Sequence, residues 1–204
     1  MLTNSEAIIL GYINYSETSI ILKAYTKDFG FKSFIIKGIR SRKKKKITLG
    51  QLQALTILDI EFNNTKNNSL SYLKNIKIIE PFSTVNNEII KINISLFLAE
   101  FLSKTLKIDL KNKPLFEFIK QSLLWFDNSD KISNFHLLFV IKLSYYLGIM
   151  PKHSENDYLY FDIENGVFTS CDIEKPHYHF ESNIMKVDNQ NNQPIVSFTL
   201  DLSL

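Results

Sequence analysis

Up to Glu80 the apolar positions fall in short runs that alternate or cluster as strands do, with no helical spacing sustained. The first run is Ala7 to Ile13, and a polar break, NYSET, separates it from SIILKAYT at 19–26. A turn around Asp28 and Gly30 leads into FKSFIIK at 31–37, which Gly38 ends. LDIEF at 58–62 alternates cleanly, NNTKNN turns the chain, and Leu70, Tyr72, Ile76 and Ile78 alternate again. Five strands within the first 80 residues, with no crossover helix between them, must pair largely antiparallel, and closure into a small barrel removes their edges. An OB-fold or SH3-like barrel is predicted.

At Pro81 the period changes. Ser83 or Thr84 is placed to N-cap a helix running to about Lys107, with Ile90, Ile94, Phe97 and Phe101 among its apolar positions. A second helix is predicted from near Pro114, carrying Leu115, Phe118, Ile119, Ser122 and Phe126, and a third from Ser133 to Leu147, ended by Gly148 and Pro151. No Pro/Gly/Ser-rich linker separates these helices from the barrel, so they are expected to dock on it. The stretch YLYFDIENGVF suggests a hairpin turning at Asn165 and Gly166. The fold class is therefore α+β: an N-terminal five-stranded antiparallel OB-fold barrel at 1–80, an α-helical domain at 81–182 with a hairpin region at 152–182, and a divergent tail at 183–204.

Charge is concentrated at one place. Residues 37–46 read KGIRSRKKKK, seven basic side chains in ten, and both arginines of the chain, Arg40 and Arg42, lie there. Guanidinium offers phosphate a planar fork, whereas lysine is a hydrated point charge. Residues 1–80 hold 13 Lys/Arg against 6 Asp/Glu, while 81–204 hold 11 against 15, so the front of the chain is basic and the back acidic. Predicted strands bracket the basic run on both sides, which argues for a loop leaving the third strand and against a detachable tail or address signal. That loop lies near the strand 2–3 face that OB-folds use for oligonucleotides. The candidate nucleic-acid-binding set is Lys37, Arg40, Arg42, Lys43, Lys44, Lys45 and Lys46, extended by Lys23 and Lys32, with Tyr25 as a stacking platform among the barrel's aromatics.

Other chemistry finds little support. The six glycines are scattered and form neither a P-loop nor a dinucleotide fingerprint. His177 and His179 form HYH without further ligands at metal-binding spacing, and Cys171, the single cysteine, excludes an internal disulfide and any multi-cysteine zinc site. Its start, MLTNSEAIILGYI, has no basic n-region, and the longest apolar stretch, at 135–150, is interrupted by Lys142 and is shorter than a membrane span. A cytoplasmic protein with no cofactor, metal or membrane partner is expected. An RNA-binding OB-fold protein and a protein-interaction scaffold stay open as alternatives.

The run from Ser5 to Lys45 resembles the N-terminal barrel of the RecO family, bacterial recombination mediators. The matching parts are the apolar first strand, Tyr15-Ser16-Glu17, the Thr26 to Gly30 turn, and Lys37-Gly38 with Arg40 and Arg42. Leu58 to Phe62, Glu80-Pro81-Phe82, Leu147 to Pro151 and FDIENGVF continue it, and the lone cysteine places the chain in the branch lacking zinc. The resemblance implies no catalysis. It implies binding of single- and double-stranded DNA, annealing of complementary strands, contact with the C-terminal tail of single-strand-binding protein (SSB), and cooperation with RecR in loading RecA. It also implies a pocket for that acidic tail, for which Phe116, Phe118, Trp125 and Phe139 offer apolar walls and Lys113, Lys120 and Lys142 rim charges. The family's closing helices find no counterpart after residue 182, so the chain reads as C-terminally truncated.

Overall fold

The computed structural model describes residues 2–41, 47–64, 70–106, 111–130 and 132–150, and the backbone of 160–162 and 167–169. Residues 1–136 form one compact unit and 137–204 a second.

In the first unit, β1 (Leu2–Asn14), β2 (Ile20–Thr26), β3 (Gly30–Ile36), β4 (Ile57–Asn63) and β5 (Ser71–Glu80) close into a barrel of order β1-β2-β3-β5-β4. An odd number of strands cannot alternate direction all the way round a ring. The necessary exception is β3 against β5, a parallel contact of two residue pairs, Phe34 with Ser71 and Ile35 with Tyr72, while the other neighbours are antiparallel. Inside lie Ala7, Ile9, Leu22, Phe34, Ile60 and Phe62, with Phe29 and Phe34 each set edge-on to Phe62. β1 is buried on both faces: Ile8 and Leu10, pointing away from the barrel interior, are as enclosed as Ala7 and Ile9, because α1 (Ile89–Thr105) packs along this strand. That double burial is why its sequence reads as a continuous apolar run. At Gly11 a β-bulge shifts the register against β2, and its φ of 138° is one that a side chain would resist.

The alternation expected for β5 changes phase. Lys74 is the extra residue of a bulge, since Phe62 pairs with Leu73 and Glu61 with Asn75. Ser71 and Leu73 therefore point inward, and Tyr72, grouped with the inward positions by simple alternation, points out.

α1 starts later than its predicted cap. Thr84 O accepts from the amides of Asn87 and Glu88, closing a separate turn, and the helix begins after Glu88. The Ser83 and Thr84 hydroxyls turn instead to Asp127, near the end of α2 (Lys113–Asn128). α2 opens as expected, with Pro114 in its first turn and the Asn112 side chain accepting from Leu115 N at 3.0 Å. It lies against the outside of the barrel through Phe116 and Tyr25, whose ring centroids are 6.1 Å apart. Trp125 and Phe126 both stack on Phe135, the first residue of α3 (Phe135–Tyr146).

Within the second unit α3 continues, and Gly148, at φ 72°, ends it by donating its amide to Tyr145 O. Strands β6 (Tyr160–Asp162) and β7 (Val167–Thr169) pair antiparallel as the expected hairpin; its turn lies outside the described residues.

Candidate nucleic-acid interface

The basic stretch emerges between two buried roots. Ile39 and Ile47 are each 7% exposed and belong to the barrel core, so the described chain on either side of residues 42–46 is anchored in the barrel. Gly38, at φ 68°, starts the exit turn, and its carbonyl accepts from Ser41 N. The Arg40 amide donates to Thr18 O at 3.1 Å, which ties this exit to the loop between β1 and β2. Arg40 and Lys37 are exposed, whereas Arg42, Lys43, Lys44, Lys45 and Lys46 lie outside the described residues.

Beside the roots is an open cleft of about 320 Å³ between the end of β3 and the start of β5, lined by Ile35, Lys37, Ile39, Ile47, Tyr72 and Lys74. The Lys37 ammonium sits 4.7 Å from the centroid of the Tyr72 ring, a cation–π contact, and Tyr72 is 41% exposed. Tyr72 and Lys74 were not among the residues expected from sequence. The bulge that turns them outward together leaves no mark in composition, although an aromatic three residues after a polar turn, with a lysine two further on, is a signal that could have been weighed.

Three expected contributors stand elsewhere. Tyr25 is corrected from stacking platform to packing residue: it is 2% exposed beneath α2, its hydroxyl donates to Asn112 O, and burial pushes its phenol up to about 12. Lys32 has the inward parity of Phe34 and Ile36, which FKSFIIK already contains. Its stem is buried, and its ammonium reaches Asn64 Oδ1 at 3.5 Å, so it offers little free charge. Lys23 is half-buried on the outer side of β2. It pairs with Ser33, four residues before Lys37, or about 13 Å along the strand.

The charges assigned to an SSB-tail rim are also redistributed. Lys120 donates to Glu6 Oε2 at 2.6 Å, and Lys113 pairs with Asp28 at 3.3 Å, so both tie α2 to the barrel. Burial raises the Glu6 carboxyl, but Lys120 and Lys27 together outweigh that and hold it below its ordinary value. Trp125 is 53% exposed in the first unit; in the second, Phe139 is buried and Lys142 half-buried. Among the described residues no group of His, Cys, Asp or Glu is placed to hold a metal ion, and no helix is long and apolar enough to cross a membrane. His153, Cys171, His177 and His179 lie outside them.

A closed five-stranded barrel with a basic stretch between β3 and β4, followed by helices, defines an OB-type α+β protein with a surface suited to polyanions. Two family models match in order: Recombination protein O N terminal over residues 1–82 and Recombination protein O C terminal over residues 86–157. The protein named DNA repair protein RecO from Flavobacterium johnsoniae is 34% identical over 186 residues, covering 91% of this chain and 78% of that one. Its namesake from Flavobacterium psychrophilum is 32% identical over 203 residues, covering 97% and 85%, and that from Bacteroides fragilis 37% identical over 183 residues, covering 88% and 73%. The chain belongs to the RecO family of DNA repair proteins. A match over 97% of the chain leaves room for only a few unmatched residues, so it extends into 183–204, the stretch set apart from the family on sequence alone.

Proposed function

We propose that this chain is a non-enzymatic mediator of DNA repair and recombination. It binds single- and double-stranded DNA through its barrel, anneals complementary strands without nucleotide or metal, and acts in the cytoplasm at the nucleoid. In this reading it helps load RecA on SSB-coated single strands together with RecR; the family carries this part, while the barrel's surface supports the DNA contact. The observation that carries the contact is the anchoring of the basic stretch: Ile39 and Ile47 hold its two ends in the core, beside exposed Lys37, Arg40 and Lys74. Counterions released from the DNA backbone by such a cluster drive binding in a way that ignores sequence and falls with salt.

The test replaces Lys43, Lys44, Lys45 and Lys46 with Ala and follows oligonucleotide binding across a salt series, with a chelator present and ATP absent. Four phosphate contacts on a single strand, at about 0.7 each, should lower the log–log salt slope by roughly 3, uniformly across sequences. An unchanged slope would falsify the assignment. Tighter binding to RNA than to matched DNA would favour the RNA-binding alternative.

A further inference from the structure

We infer that Tyr72 is a base-stacking platform by which this face distinguishes an unpaired strand from a duplex, with Lys37 and Lys74 meeting the phosphates on either side. The inference rests on the DNA-binding reading and deepens it. The bulge at Lys74 turns Tyr72 out of the barrel, and Ile35, its register partner on β3, lines the cleft beside it. A tyrosine 41% exposed among basic neighbours is neither core filling nor a lone surface ring, because the Lys37 ammonium at 4.7 Å fixes its position. At about 320 Å³ the cleft is at the small end of ligand-sized cavities, with room for a base and its sugar.

Lysines respond to the density of phosphate charge, which is higher on a duplex, so they give a single strand no preference of its own. A ring does, because every unpaired base offers it a π-face whereas a base within a duplex is already stacked on its neighbours. Lys37, Arg40 and Lys74 supply the attraction common to both forms, and Tyr72 adds the part that only a single strand satisfies.

The experiment uses the full chain and measures anisotropy of a labelled oligothymidine and of a duplex of equal length, for the parent, Tyr72→Leu, Tyr72→Phe and Tyr72→Trp, each checked for folding by thermal melting. Tyr72→Leu should weaken single-strand binding about tenfold, leave duplex binding within about twofold, and leave the salt slope unchanged, since no phosphate contact is removed. Tyr72→Phe should match the parent, and Tyr72→Trp should bind the single strand at least as tightly. Equal loss on both substrates, or no loss on either, overturns the stacking role while the DNA-binding reading stands. Failure of the parent to bind either substrate overturns both.

Discussion

At the residue scale the most heavily used side chain among the described residues is Asp127, which lies on α2 and accepts from the backbone amides of Ser83, Thr84 and Val85 at 2.8–2.9 Å. Consecutive amides of this kind form a nest for an anion, and here the carboxylate fills it. Lys91, buried to 1% exposure, completes the group by donating to Thr84 Oγ1 and Asp127 O. Burial works to raise the Asp127 carboxyl, but the amides of Ser83, Val85 and Thr84 and the Ser83 hydroxyl outweigh it and hold it at about 2. Because the folded value lies below the ordinary 3.8, the stabilisation is complete above about pH 4 and is lost as pH falls through about 2. Asp127→Asn should cost about 2–3 kcal/mol at neutral pH, and denaturant titrations should show its deficit shrinking between pH 4 and pH 2. A constant deficit across that window would mean that the charge is not what the nest holds. Sequence could place Ser83 and Thr84 at a capping site but could not name their partner, which lies more than 40 residues away. Tyr25 escaped sequence reading for a related reason: it stands on the outer face of β2, and only the docking of α2 covers that face.

Among elements, α2 is held to the barrel by a chain of charges as well as by Phe116. Lys120 meets Glu6, Glu6 meets Lys27, and Lys27 meets Glu117. The Lys120 side chain is only 14% exposed, so its pair with Glu6 is screened less than a surface pair. A double-mutant cycle on Glu6→Gln and Lys120→Met should show a coupling of about 1 kcal/mol in thermal or denaturant unfolding, whereas the same cycle on exposed Glu100 and Lys104, four residues apart on α1, should show at most about 0.5. Coupling of equal size in both cycles would remove the role assigned to the clamp. The strands themselves were legible: β1, buried on both faces, reads as a continuous apolar run, and the period of two survives in LDIEF and in the first half of FKSFIIK. What alternation could not show was the phase change at Lys74, because a bulge alters backbone register without altering residue type. The helices were legible from Pro114, Gly148 and their apolar spacing; the late start of α1 was not, because the Thr84 turn uses the same residues that would cap a helix.

For the whole molecule, the asymmetry of charge was visible along the chain and pointed to the β3 exit, but the surface it belongs to needed the barrel to close. Closure brings β5 beside β3 and so sets Tyr72 and Lys74 next to Lys37, residues 35 and more positions apart in sequence. The same closure has a dynamic consequence. The β3–β5 contact spans two residue pairs while β2–β3 spans seven, so the ring has one thin seam, and breathing of the barrel should begin there. Backbone amides around Phe34, Ile35 and Tyr72 should then exchange hydrogen for deuterium faster than those in the middle of β1 and β2. A ligand lying across the cleft would bridge this seam from outside and favour its closed form, so bound oligonucleotide should slow exchange there more than anywhere else in the barrel. In such a molecule, nucleic acid would act as a removable sixth staple of the fold, and the barrel would be least open when it is most occupied.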